Sequence, residues 1–330
     1  MLATEPKERY LAAFKEAQPR AGAAWLDELR DAGMASFQAL GFPTTRNEEW
    51  KHTSVEPIAS QSFVQASGEP RNVDLAAFLA RGFVAEDCHR LVFVNGVYAP
   101  HLSDLSGLPS GARAQNLADA IDQNDAMVAA QLGRCASHQR QAFVALNTAF
   151  IAAGALVVVP RGCRLRQPIH LIFASAGGDP PVISHPRVLI SLGAGSEASI
   201  VESYIGFDGG RYFCNAVTEL IGEEGAVIEH YRVQQETAAG FHVGALAARL
   251  ARDCRLTAYT VTLSGLLVRN NVHAVLDGED AECVLNGLYV ADGAQHVDNF
   301  TEIEHAKPRG TSSELYKGIL SGSARGVFNG

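Results

Sequence analysis

Residues 295–308, QHVDNFTEIEHAKP, place two imidazoles and several carboxylates on one short stretch. Imidazole and carboxylate together are the donor set for a divalent cation of intermediate hardness. If 295–305 is a strand, His296, Asp298, Phe300, Glu302 and Glu304 face one way. Gln295, Val297, Asn299, Thr301, Ile303 and His305 face the other. Val297 and Ile303 make the second set the core side, which predicts a mostly buried His305 and leaves His296 and Asp298 on a solvated acidic face. Those two lie roughly 7 Å apart along a strand, and spacing fixes no third ligand. His296, Asp298 and His305 are therefore weak metal candidates, and a coil of a structural platform is the better expectation for the stretch.

The remaining motifs argue against a self-contained catalyst. The six cysteines, Cys88, Cys135, Cys163, Cys214, Cys254 and Cys283, are scattered singly with no C-x-x-C pair, so no zinc knuckle or ferredoxin-type cluster motif is written here. GAGSEA at 193–198 has the G-x-G-x-x-A form of a dinucleotide fingerprint. However, it opens ASIVESYI, a β-branched run, where the fingerprint needs a helix. The chain contains no G-x-x-x-x-G-K-[ST] loop, G-x-S-x-G elbow or H-E-x-x-H pair. His230, His242 and His273 are spread along the same region and are expected to be packing residues.

These side chains must be positioned by the elements around them. The first forty residues read as two helices. Thr4 can cap the first, with Pro6 in its first turn and Tyr10, Phe14 and Ala17 on one face. The second carries Leu26, Leu29, Gly33, Phe37 and Leu40 and ends at Gly41 before Pro43. An extended stretch, TTRNEEWKHTSVEPIAS, follows, then a strand in RLVFVNGVYAP and a helical segment over roughly 116–153. From 154 the texture changes to short β-rich runs separated by Gly and acidic turns. Aligning GSEASI, EEGAVI, ARDCRL and GEDAEC superposes Ala198, Ala226, Cys254 and Ala281 in steps of 28, 28 and 27. Ile200, Ile228, Leu256 and Cys283 come next on the same face. Cys163 and Leu165 fit one coil earlier if GGDPPVISH is an insertion, and Ser313 and Leu315 one coil later. A repeat of this length cannot bury its own apolar face, so successive coils must stack. The expectation is a mainly β protein: a right-handed β-helix (solenoid) over 154–330, preceded over 1–153 by a largely helical region with an extended linker. Cys163, Cys254 and Cys283 then fill ladder slots that also take Ala, Ile and Leu.

Bulk composition sets the remaining bounds. Hydrophobic residues make up 47% and charged residues 19% of 330, with 27 basic against 36 acidic side chains. No dense basic run suits nucleic acid, and no apolar run reaches the roughly 18 residues a membrane span needs. The N-terminus lacks the pattern of a secretory signal, which points to the cytoplasm.

Several stretches together resemble the SufB/SufD family of the SUF iron–sulfur cluster assembly system. They include FPTTRNEEWKHT, RLVFVNGVYAP, PRVLISLGAGSEASIVESYIG, FHVGALAARLARDCRLT, LLVRNNVHAVLDGEDAECVLNGLYV and QHVDNFTEIEHAKPRGTSSELYKGIL. The likeness runs from about residue 40 to the end, and Arg46 to Thr53, RNEEWKHT, favour the SufD branch over SufB. The resemblance implies a non-catalytic scaffold subunit that pairs with a SufB-like paralogue through the β-helix. It also implies a SufC-like ATPase partner whose movements remodel the interface where a transient cluster is built. On that reading this chain holds no tightly bound cofactor alone. The family continues beyond VFNG with further coils and a helical region that docks SufC. The resemblance thus implies a C-terminally truncated chain, onto which no cluster ligand or SufC contact is carried over. The alternatives are a secreted-type carbohydrate-active β-helix enzyme and a cupin-like metal enzyme using His296 and His305.

Overall fold

The structure is a computed structural model, and it describes residues 6–16, 23–66, 82–83, 85, 87–207 and 210–330. Its dominant feature is a β-solenoid built from two sheets facing one another. Strands β5 (Gly154–Val159), β8 (Arg187–Leu192), β10 (Tyr212–Gly222), β12 (Phe241–Leu250), β14 (Leu267–Leu276), β16 (His296–His305) and β18 (Arg325–Asn329) lie in sequence order across sheet A. Sheet B runs through β6 (Ile169–Ser175), β9 (Glu197–Gly206), β11 (Val227–Gln235), β13 (Arg255–Ser264), β15 (Glu282–Ala291) and β17 (Thr311–Leu320). These neighbours are parallel, as they must be when each coil repeats the course of the last. Side chains alternate between the interior and the outer face of each sheet, which is why the apolar residues recur at every second position.

The register bears out the ladder and corrects its ends. Ile228 pairs with Leu256, and Leu256 with Cys283, so Cys254 and Cys283 are interior rungs and fully buried. One coil earlier, Ile228 pairs with Ala198 and not Ile200, because that step is 30 residues long. At the other end Cys283 pairs with Ser312. This puts Ser313 and Leu315 on the outer face, where Leu315 is 56% exposed. An odd shift in register reverses every side chain. GAGSEA forms a coil-to-coil turn with Gly195 at positive φ, and GGDPPVISH is an insertion that carries β7 (Val182–Ser184).

Helices α1 (Pro6–Glu16), α2 (Ala24–Leu40), α3 (Glu56–Ala59), α4 (Leu117–Asp122), α5 (Ala126–Gln131) and α6 (Ala142–Ala149) belong to the N-terminal half. Tyr10 and Phe14 of α1 are buried, whereas Thr4 and Ala17 lie outside the described residues. Gly33 brings α2 against α6: a Cβ there would meet the Ala149 nitrogen at 2.7 Å. These helices cover the outer face of sheet A, with Phe37, Trp50 and Phe143 packed among Phe213, Phe241 and Leu267. The expected extended stretch is in fact a 3-10 turn, Glu48–Trp50, followed by α3. The N-terminal half also contributes strands. β1 (Val64–Gln65) pairs with β7, β2 (His89–Val94) pairs in parallel with β6, and β3 (Val97–Tyr98) closes a hairpin on β2. β4 (Arg113–Asn116) runs antiparallel to β5.

Candidate functional site

The RNEEWKHT segment docks on sheet A through its two buried side chains, Trp50 and Thr53. The Trp50 indole lies under the guanidinium of Arg269, 4.5 Å from ring centre to carbon, and Phe300 lies 5.2 Å from the same group. Arg269 donates to Asp298 and, through Nε, to Asn271 at 2.9 Å. The Thr53 hydroxyl donates to the same Asp298 oxygen and sits 2.8 Å from His296 Nε2. Burial pulls the Arg269 guanidinium below its usual value, with Asp298 opposing. Burial likewise holds His296 below the ordinary histidine range, against the pull of Asp298.

Asp298 is therefore not a solvated carboxylate. It is 1% exposed, as is Arg269, because the N-terminal segment covers this face of the sheet. Parallel sheets are commonly buried on both faces, and alternation alone does not reveal the second cover. His305 is corrected in the opposite sense: it is exposed at the end of its strand, with Nε2 2.9 Å from Ser312 Oγ. Nine residues of strand separate it from His296, roughly 30 Å. Among the described residues no three His, Cys, Asp or Glu side chains come together as a metal-holding group. The structure thus ties Asp298 and His296 to a docking latch and leaves His305 apart from them.

Two further clusters carry buried charge. Inside the solenoid, Glu202 accepts from Thr218 Oγ1 at 2.8 Å, His230 Nε2 at 2.7 Å, Tyr204 OH at 2.7 Å and Arg232 at 3.2 Å. Burial would raise this carboxyl, but Arg232 and His230 outweigh it and hold it well below the usual carboxylate range. Glu236 accepts from Tyr212 OH at 2.5 Å and His242 Nδ1 at 2.8 Å. Gln234, Thr262, Asn270 and Asn299 continue the polar layer through side-chain amides and a hydroxyl. A carboxylate already met by four donors is poorly placed to act as a general base, so this layer serves alignment. On the outside, Glu219 accepts from the backbone N–H groups of Gly133, Cys135 and Ala136, and pairs with Arg187 at 2.6 Å. That contact fixes the loop between α5 and α6 to sheet A.

One apparent catalytic pair is structural on inspection. His170 Nε2 lies 2.8 Å from Ser203 Oγ, but His170 Nδ1 accepts from the Ala85 N–H. Nε2 therefore carries the proton and donates to Ser203, whose own hydroxyl donates to the Phe83 carbonyl. An imidazole in that tautomer cannot take the serine proton. Burial also drives the thiols of Cys135, Cys254 and Cys283 up to about 12, which makes them inert at neutral pH.

The geometry defines a solenoid platform with a helical region latched across one sheet and its buried charges held in fixed internal contacts. Comparison with known families gives that architecture an identity. The model for the SufBD protein N-terminal region matches residues 4–171, and the model for the SUF system FeS cluster assembly SufBD core domain matches 173–330. The chain belongs to the SufBD family. It is 29% identical over 302 residues to the iron–sulfur cluster assembly SufBD family protein slr0076 of Synechocystis, covering 88% of this chain and 66% of that protein. It is 29% identical over 299 residues to the iron–sulfur cluster assembly protein SufD of Escherichia coli, covering 88% and 65%. Protein ABCI7, chloroplastic, of Arabidopsis thaliana is 26% identical over 92% of this chain and 64% of its own length. The chain thus spans a little under two thirds of the length of these relatives.

Proposed function

We propose that this chain is a non-catalytic scaffold subunit of a cytoplasmic SUF iron–sulfur cluster assembly complex. It pairs with a SufB-like paralogue through its β-solenoid and works with a SufC-like ATPase, while the cluster itself is a transient product of the assembled complex. The family match across both the N-terminal and core regions carries this reading. Its similarity to the Escherichia coli SufD protein supports it. The residues agree in kind. The buried acids and histidines are committed to neighbours within the fold, and the sequence has no phosphate-binding loop of its own, so ATP chemistry falls to a partner.

The test is anaerobic co-expression of the tagged chain with the SufB and SufC proteins of the same organism. Recovery of SufB in stoichiometric amount is the expected result. Neither partner eluting with the chain would overturn the proposal.

A further inference from the structure

Three hollows of about 250, 160 and 220 Å³ adjoin along the seam between the N-terminal region and the outer face of sheet A. The first two share Glu49, Arg140 and Gln141, and the last two share Cys135, so together they form one groove. One row of sheet A gives its cross-section: Glu219, Ala247, His273 and Glu302 are register partners on β10, β12, β14 and β16. Glu219 holds the loop between α5 and α6 by the N–H groups of Gly133, Cys135 and Ala136, which makes that loop a fixed wall. Ala136 joins Ala245 and Ala247 in one apolar cluster, so the loop sits over β12. Ala247 and His273 form the floor, and Glu302 stands as the other wall. Two strand spacings, roughly 10 Å, separate Ala247 from Glu302.

The two walls carry opposite charge and do not meet. Arg140 and Glu302 line the second hollow, Arg134 and Glu304 the third, and all four side chains are exposed. Exposed charges on neighbouring coils of the solenoid do pair, Arg249 with Asp277 at 2.7 Å and Arg309 with Asp280 at 2.8 Å. Among the described residues, however, neither Arg134 nor Arg140 forms an ion pair with Glu302 or Glu304. The groove therefore offers guanidinium groups along one side and carboxylates along the other. Glu302 and Glu304 lie two residues apart on one face of β16, roughly 7 Å. An extended chain has the same repeat, and its successive side chains point to opposite sides. A helix, roughly 10–12 Å across with its side chains, is too wide to lie between the walls.

We propose that this groove binds an extended segment of a partner protein in which basic and acidic side chains alternate, the bases toward Glu302 and Glu304 and the acids toward Arg134 and Arg140. The probe is a rhodamine-labelled octapeptide of alternating Lys and Glu, titrated at low salt into the 330-residue chain and followed by fluorescence anisotropy. Saturable binding at one site is expected, weakening as added salt screens the contacts. A block peptide of the same composition, all Lys then all Glu, should bind roughly fivefold more weakly, because only alternation serves both walls. Reversing one wall, by Glu302→Lys with Glu304→Lys, should weaken binding of the alternating peptide roughly tenfold. Reversing both walls, by adding Arg134→Glu and Arg140→Glu, should restore it, since a shift of one residue exchanges the two sides of the peptide. All four positions are exposed, so the thermal midpoint should stay where it is. Absence of saturable binding, equal affinity for the block peptide, indifference to the reversed wall, or a folded fourfold variant that does not recover binding would overturn the proposal. If the fourfold variant does not fold, Arg134→Glu with Arg140→Glu alone decides: a loss comparable to that from the acidic wall is expected, and no loss overturns the proposal.

Discussion

Glu202 shows how a single side chain can hold two coils in line. It sits on β9, while two of its donors, His230 and Arg232, come from β11 and a third, Thr218, from β10. Replacing it by Gln removes the charge opposite a guanidinium that is itself 2% exposed. Breaking one partner of such a pair typically costs about 3–5 kcal/mol, because the other charge stays buried and uncompensated. Glu202→Gln is therefore expected to lower the urea midpoint at pH 7 substantially. The pH dependence has a definite sign. The carboxyl is held below its unfolded value of 4.5 in the native protein, so its stabilisation is complete above pH 4.5 and declines as pH falls below it. The gap between unsubstituted and Glu202→Gln proteins should narrow as acid is added below that value. A gap constant from pH 7 to pH 3 would show that the charge contributes nothing.

At the scale of elements, the latch between the N-terminal segment and sheet A is the contact most open to test. Thr53→Val keeps the side-chain shape but removes the hydroxyl that links His296 and Asp298. Leaving these polar groups short of a partner should cost about 1–3 kcal/mol. Amide exchange over residues 50–55 should accelerate while the middle strands β10 and β12 stay protected. Equal exchange in both proteins would mean that Trp50 alone holds the segment. This latch also marks what the sequence could reveal. The repeat and its interior rungs were legible because small and apolar residues recur at nearly constant steps, and Cys254 and Cys283 occupy the slots so inferred. Arg269 and Asp298 were within reach of the same reasoning, since 29 residues, about one coil, separate them and they are register partners. Their burial was not legible, because it depends on a segment more than two hundred residues away folding over the sheet. The polar interior was hidden for another reason: Glu202 and Arg232 obey the same alternation as Ile200 and Ile228, and parity does not distinguish a paired charge from an apolar rung. Ser313 and Leu315 were misplaced because aligning Ser313 with Ala281 takes a step of 32 residues, whereas the register runs from Cys283 to Ser312, a step of 29, and an error of an odd number of residues exchanges the faces.

For the whole molecule, the question is what closes the first end of the solenoid. Stacked coils stabilise one another through neighbour contacts, so an end layer needs a cover. Here the N-terminal half supplies it on both sheets, with β2 pairing on β6 and β4 pairing on β5. Phe93 of β2 stacks on Phe173 at 5.1 Å, which stacks on Tyr204 at the same distance, so one aromatic column runs from the cover into the coils. Leu91 and Phe93 are fully buried and belong to the same core as Leu171 and Ile200. The change in sequence texture at 154 therefore does not mark a cut that leaves the solenoid intact. A chain beginning at Gly154 would bare the layer of Leu171 and Phe173, the outer face of sheet A around Phe213 and Phe241, and the buried Arg187–Glu219 and Arg269–Asp298 pairs. Such a chain is expected to aggregate or to run as a polydisperse species in size-exclusion chromatography, with no sharp thermal transition. A chain beginning at residue 82 would keep β2, β3 and β4 over the end layer while losing α1 and α2. It should retain more cooperative unfolding than the shorter one. If the two fragments melt alike as soluble monomers, the cap is dispensable and the coils from β5 onward are stable without it.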